Sequence, residues 1–314
     1  MRVGLVDVDG YNFPNIPLMK ISAYHKSRGD DVEWYEPFRG LIKEYDKVYV
    51  SKVFSFTPDY DLPIYAKEVE RGGTGYCIVN ENGREIFQRE KNKNLPDEIE
   101  HIYPDYSLYP EYCSNTAFGF LTRGCPRGCI FCIVKDKEGI ISRKVANLDE
   151  FWRGQKDIVL CDPNILACKE WEDLLGQLIE SKARVEFNQG LDIRMINEKK
   201  AEMLSEIRIK NIHFAWDRYE DKDLILPKFR EFRSKSKIRD KDLQVYVLVG
   251  DREPKVLPED LERIYWLRDN GFAPYVMIYD KYDLPRGHEL RRLQRWVNNR
   301  IVFYSVGRFE DYGI

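Results

Sequence analysis

The sequence predicts an α/β protein in two parts. A parallel sheet of six strand-and-helix units curls into a partial (β/α)6 barrel, and a small doubly wound domain precedes it. Three observations predict this. Short apolar strands alternate with amphipathic stretches from residue 117 onward. The same alternation runs on a smaller scale through residues 1–75. Between them, residues 80–110, rich in Asn, Glu, Lys, Pro and Tyr, keep neither period. At 314 residues, 43% of them hydrophobic, the chain is long enough to bury a core and to form two domains.

Residues 2–9 (RVGLVDVD) read as a buried strand, and 16–28 (IPLMKISAYHKSR) carry apolar residues at helical spacing until Gly29. Val32–Tyr35 and 47–54 (KVYVSKVF) read as strands, and 61–71 (DLPIYAKEVER) as a helix running into Gly72 and Gly73. These elements define a first domain over 1–80. Residues 81–116 read as a linker, with one hairpin around Glu81–Gly83. The later strands are 118–122, 157–161, 184–188, 211–216, 243–249 and 274–279, and amphipathic helices fall at 169–182, 197–206 and 258–270. They place a barrel domain over 117–285, with its chemistry at the carboxyl ends of the strands, and a C-terminal helical extension over 286–314.

Charged residues make up 33% of the chain and leave a net charge of −3, so no global positive field points to nucleic acid or an acidic membrane. The N-terminus lacks the basic-then-apolar layout of a secretory signal, and no apolar run approaches the ~20 residues of a membrane span, so a soluble, cytoplasmic protein is expected. Seven cysteines in a reducing compartment suit metal ligation or catalysis better than a disulfide framework.

Residues 121–134 read LTRGCPRGCIFCIV, so Cys125, Cys129 and Cys132 form a C-x3-C-x2-C directly after the first barrel strand. Three thiolates on a short loop can each ligate one iron of a cubane and leave the fourth iron open. Gly124, Pro126 and Gly128 suit a loop that folds sharply. The alternative is a zinc knuckle, but structural zinc normally takes four protein ligands. Cys113 precedes the strand and Cys161 ends the next one, so neither lies nearby in sequence; Cys161 and Cys168 read as small buried hydrophobes.

With an aromatic residue directly before its last cysteine and its place after the first barrel strand, this motif resembles that of the radical S-adenosylmethionine (SAM) superfamily. The resemblance implies a 4Fe–4S cluster on Cys125, Cys129 and Cys132. In that family SAM chelates the open iron, an electron cleaves the sulfonium, and the 5′-deoxyadenosyl radical takes a hydrogen from substrate. It puts Phe131 beside the adenine and Asp162 and Asn164 at the methionine amino group, where many relatives carry a Gly-Gly-Glu run. The third strand ends with Asn188 and runs to Arg194, resembling an Asp-x-Arg segment in which the arginine pairs with a carboxylate of SAM or substrate. The competing role for Arg194 is an ion pair with Asp192. Asp217, Tyr279 and Asp280 follow the fourth and sixth strands and are candidates for the ribose, the adenine or the substrate, against the alternative of turn or cap residues. His213 reads as a packed strand residue, and His25, His101 and His288 belong to no constellation.

Residues 1–75 resemble a shortened, Rossmann-like cobalamin-binding domain found in one branch of that superfamily, through VGLVDVDG, Asn15-Ile16-Pro17-Leu18, YVSKVFSFT and GGTG. The Asp-x-His-x-x-Gly signature that supplies the lower axial histidine is absent, so a degenerate domain used for docking or substrate recognition is expected rather than a cobalamin site. The resemblance implies C–H functionalisation of a sizeable, unidentified substrate, by methyl transfer or another modification, with an external electron donor such as flavodoxin or ferredoxin. Two alternatives are a small-molecule radical SAM enzyme and an Fe–S binding or redox-sensing module without SAM turnover. Only Cys77 and Cys113 precede the motif and none follows Cys168, which argues for one cluster and against a methylthiotransferase. Arg286, Arg291, Arg292, Arg295 and Arg300 surround Trp296 on a C-terminal helix. An exposed Arg292–Arg295–Trp296 face would suit nucleic acid; a Trp296 packed on the barrel would not. The net charge favours a peptide or small-molecule substrate.

Overall fold

The computed structural model describes residues 1–10, 13–81, 84–129, 131–279 and 281–313. The chain forms two compact units, Met1–Ile141 with Val145–Ile158 and Ser142–Lys144 with Val159–Ile314. The protein is a mixed α/β molecule, and among the described residues no helix is long and apolar enough to cross a membrane.

In the first unit β1 (Arg2–Asp7), α1 (Ile16–Ser27), β2 (Asp31–Trp34), α2 (Pro37–Ile42), β3 (Tyr45–Ser51) and β4 (Ala66–Gly72) follow in order, and the strands form a parallel sheet ordered β2-β1-β3-β4. Alternate side chains of β1 serve opposite faces. Val3 and Leu5 pack with Leu18 and Ile21 of α1, while Val6 joins Tyr35, Tyr45, Val48 and Val50. Helix α1 begins where the Asn15 side chain accepts the Leu18 N–H at 3.2 Å, and it stops at Gly29, whose φ of +79° favours glycine.

The stretch 61–71 is not a helix. Ala66–Gly72 is the edge strand β4, and Lys47 of β3 reaches both Glu68 and Glu70 at 2.8 Å. Residues two apart share a strand face but diverge on a helix, so pairing with β3 overrides the local pattern. The sequence also concealed α2, a short helix capped by Glu36, which accepts the Phe38 and Arg39 N–H groups.

Strands β5 (Ile78–Glu81) and β6 (Arg84–Phe87) pair antiparallel around the expected hairpin, whose turn residues Asn82 and Gly83 lie outside the described residues. Helices α3 (Asp97–Glu100) and α4 (Pro110–Cys113) follow, and Leu95, Ile99 and Leu108 of the expected linker pack on the cluster around β1 and α1. Next come β7 (Thr116–Gly119), β8 (Thr122–Arg123), α5 (Val134–Lys137) and β9 (Arg143–Lys144).

From there strands and helices alternate: β10 (Asp157–Leu160), α6 (Trp171–Ser181), β11 (Arg184–Leu191), α7 (Glu198–Glu206), β12 (Arg208–Ala215), α8 (Lys222–Lys235), β13 (Leu243–Val249), α9 (Pro258–Asp269) and β14 (Ala273–Ile278). The larger sheet is parallel and has six strands in the order β14-β13-β12-β11-β10-β7. Helix α8 escaped the sequence reading because Pro227 lies inside it; Ile225, Leu226, Phe229 and Phe232 nevertheless form a buried face that outweighs the lost hydrogen bond.

Helices α10 (Glu289–Asn298) and α11 (Arg300–Ser305) end the chain. Trp296 has 0% exposure, donates its Nε1–H to the Val306 carbonyl at 2.9 Å and packs edge-on against Tyr265 and Phe303. The exposed Arg292–Arg295–Trp296 face that would suit nucleic acid is therefore not formed. Arg292 lies over the Phe309 ring, and Arg291 donates to the Lys281 and Leu284 carbonyls.

Candidate functional site

The cysteine loop belongs to the first unit and is closed at its neck. Gly124 has φ +87°, and a Cβ there would lie 2.1 Å from the Ile141 carbonyl oxygen, so only glycine fits. Cys125 N–H donates to Gly139 O at 3.1 Å, and the Glu138 carboxylate accepts from the Gly124 N–H at 3.1 Å and from Arg123 Nη1 at 2.8 Å. Within this neck Cys132 N–H donates to Cys129 O, and Gly128, with φ +57°, faces open space. Cys125, Cys129 and Cys132 are half-buried and in no disulfide, whereas Cys77, Cys113, Cys161 and Cys168 are buried. Phe131 is 41% exposed, and its neighbour Ile130 lies outside the described residues.

Burial pushes the Cys132 thiol up, and the charges of Cys129 and Cys125 push it further. Thiolates that repel one another are stabilised by a positive centre among them. Among the described residues no three His, Cys, Asp or Glu side chains converge on a single metal position. A cubane does not require that convergence, because it takes one thiolate on each of three irons. The donor set fits a cluster in number and placement: three half-buried thiols of one loop, in no disulfide.

In the second unit, one face of strands β11 to β14 is covered by helices. Phe214 packs on Phe229 and Phe232 of α8, and Trp216 on Trp266 of α9. The register places Glu186 beside Asn211, His213 beside Gln244, Tyr246 beside Tyr275 and Leu248 beside Met277 on the opposite face. His213 stacks on Tyr246 at 4.8 Å and hydrogen-bonds through Nδ1 to Phe187 O, a packed residue as expected. Tyr246 donates to the Asn188 carbonyl at 3.2 Å, and burial pushes its hydroxyl up to about 12. Parallel sheets are normally covered on both faces. Here Tyr275, Met277 and Tyr279 are 36%, 46% and 41% exposed, so this face is left partly uncovered within the second unit.

The strand ends hold the remaining candidates. Asp162 and Asn164 follow β10 and are buried, at 4% and 1% exposure. Asn188 does not end its strand. Strand β11 continues to Leu191 through a register shift between Phe187 and Leu191. Arg194 makes the ion pair with Asp192 that the sequence allowed, Nε to Oδ1 at 2.8 Å, and reaches Asp221 at 3.3 Å; its Nη2 is buried with no hydrogen-bond partner in the chain. Asp217 follows β12, Tyr279 follows β14, and Asp280 lies outside the described residues.

Sequence reasoning missed Arg263. This α9 side chain is 1% exposed, pairs with Asp260 at 2.6 Å and donates to the carbonyls of Trp216, Asp217 and Leu248. It staples the carboxyl ends of β12 and β13 and so fixes the backbone that carries Asp217. Its only sequence signal was an acidic residue one helical turn earlier, which is too common to single out. The other histidines are structural: His25 bridges Asp30 and Tyr49, His101 meets Glu150, and His288 caps α10.

No family model matches the chain, and no curated protein matches it.

Proposed function

We propose that the chain is a radical SAM enzyme whose larger sheet is a partial (β/α)6 barrel, with a 4Fe–4S cluster on Cys125, Cys129 and Cys132. The supporting observation is the loop itself: its three thiols are half-buried, unlike the other four, and lie behind a neck that admits only glycine at residue 124. With SAM bound, such a cluster supplies reductive cleavage of the sulfonium and hydrogen abstraction from an unidentified substrate. The chain's residues provide position. Glu138 holds the loop neck through Arg123 and Gly124. The resemblance puts Asp162 and Asn164 at the methionine amino group, and the buried Nη2 of Arg194 offers a donor to a carboxylate. The aromatic face bearing Tyr275 and Tyr279 offers apolar surface to the substrate. Reduction calls for an external donor such as flavodoxin or ferredoxin.

The N-terminal sheet, read as Rossmann-like, does not fit cobalamin. Most of its described carboxyl end is taken up by its own side chains, Asp7 Oδ1 being buried without a hydrogen-bond partner. Asn15 Nδ2 donates to Ser51 Oγ at 2.9 Å, Tyr109 donates to Asp7 at 2.7 Å, and Asp9 accepts from Val53, Phe54 and Thr57. The unit's histidines are engaged elsewhere, so no axial ligand is offered.

The test is anaerobic reconstitution of wild type and of C125A/C129A/C132A. Wild type should bind about four irons and, with dithionite and SAM, release 5′-deoxyadenosine. Unchanged iron content in the triple variant would sink the assignment. An assembled cluster that binds no SAM would favour the redox-sensing module.

A further inference from the structure

The Gly-Gly-Thr-Gly run that begins at the last residue of β4 has no part in the function proposed above. Its backbone is tightly constrained. Gly73 has φ +99°, and a Cβ there would lie 2.3 Å from Lys52 O; at Gly75 it would lie 2.8 Å from Phe54 O. Gly75 N–H donates to Lys52 O at 2.9 Å and Cys77 N–H to Thr74 O at 2.9 Å, so the turn can carry only one side chain, that of Thr74, and holds it in place.

Thr74 Oγ1 accepts a hydrogen bond from Lys137 Nζ at 2.5 Å. Lys137 is the last residue of α5, five positions after Cys132. A helix of four residues is not stable alone. It is tied a second time by Arg89, whose Nη2 donates to Asp136 O at 2.9 Å. Burial and the nearby Arg123 both push the Lys137 ammonium down. The adjacent carboxylate, Glu138, is engaged by Arg123 and Gly124. The half-buried Lys137 ammonium therefore meets a neutral hydroxyl, not a carboxylate, and Thr74 is the side chain that holds it.

We propose that the Gly73–Thr74–Gly75 turn is a latch seat: Thr74 receives Lys137 and thereby fixes the loop that carries Cys125, Cys129 and Cys132. The smaller sheet is then the support of the cysteine loop. The latch is a property of the polypeptide alone, and its effect on a cluster rests on the radical SAM reading.

The test uses the full chain with T74V, T74S, K137M and K137R. In the metal-free protein, tryptic cleavage after Arg127 should be about tenfold faster in T74V and K137M, the loss of one charged hydrogen bond, and near the wild-type rate in T74S and K137R. Equal rates in all five proteins overturn the latch, whatever the loop binds. After reconstitution, T74V and K137M should start with wild-type iron content and lose their visible absorbance to an iron chelator about tenfold faster. Wild-type chelator resistance in both overturns the claim that the latch protects a cluster. Should wild type itself assemble none, the functional reading fails and the cleavage rates still decide the latch. Because T74V replaces the hydroxyl with a methyl of similar size, it decides the outcome if K137M misfolds.

Discussion

The two parallel sheets treat their accessible surfaces in opposite ways. At the carboxyl end of the smaller sheet most polar side chains engage one another, Asn15 with Ser51, Asp9 with the 53–57 loop and Asp7 Oδ2 with Tyr109, while Asp7 Oδ1 is buried without a hydrogen-bond partner. The larger sheet leaves Tyr275, Met277 and Tyr279 exposed along one face, and Arg194 keeps a buried nitrogen without a partner. A surface whose donors and acceptors are already paired has little to offer a ligand, because any new hydrogen bond must replace an existing one. Under the proposed function, the contrast suits the smaller sheet to support and the larger to recognition. It also shows that a strand order suited to ligand binding does not by itself make a ligand site.

The largest expected effect tests whether the open face rests on a rigid frame. Arg263→Met leaves Asp260 buried without its partner and frees three strand-end carbonyls, and should cost about 3–5 kcal/mol in urea denaturation. A loss under about 1 kcal/mol would mean that the ends of β12 and β13 do not depend on the staple. Trp296→Ala should cost a similar or slightly smaller amount, about 3–4 kcal/mol, with no change in nucleic-acid binding, since the indole is inside the fold. A salt-sensitive RNA affinity lost in this variant would contradict that placement.

A smaller effect sharpens the account of the closed end. Burial, aided by Asp9, pushes the Asp7 carboxyl from 3.8 up to about 6. A carboxyl raised on folding contributes its full stability below pH 3.8 and loses it as pH rises through about 6. Stability of the first unit should therefore decline over that interval. Asp7→Asn keeps an acceptor for Tyr109 and removes the titration. It should match wild type near pH 4 and exceed it at pH 7.5 by about 1–2 kcal/mol, a figure already reduced for solvent screening. Parallel pH profiles for the two proteins would show that Asp7 carries no such penalty.

The smallest effect lies on the open face. Tyr279→Ala should change stability by no more than about 0.5 kcal/mol, because the ring is 41% exposed. Its mark should be a weaker affinity for SAM or substrate in the reconstituted protein. A large loss of stability would place the ring in the packing of the second unit and close the face that the contrast describes as open.

The sequence by itself determined the C-x3-C-x2-C loop and its glycines, most strands of the larger sheet, and the cap and stop of α1. These depend on neighbours a few residues apart, where spacing and φ limits act directly. Tertiary structure alone decided the rest. It made 66–72 a strand, because the segment pairs in parallel with β3, a strand about twenty residues earlier. It buried Trp296 in a helix whose arginines had suggested an exposed face, and it gave Arg263 its carbonyl acceptors and Thr74 its lysine from residues 15 to 63 positions away. Such pairings leave no local pattern, since the groups that reward them are brought together only when the chain folds.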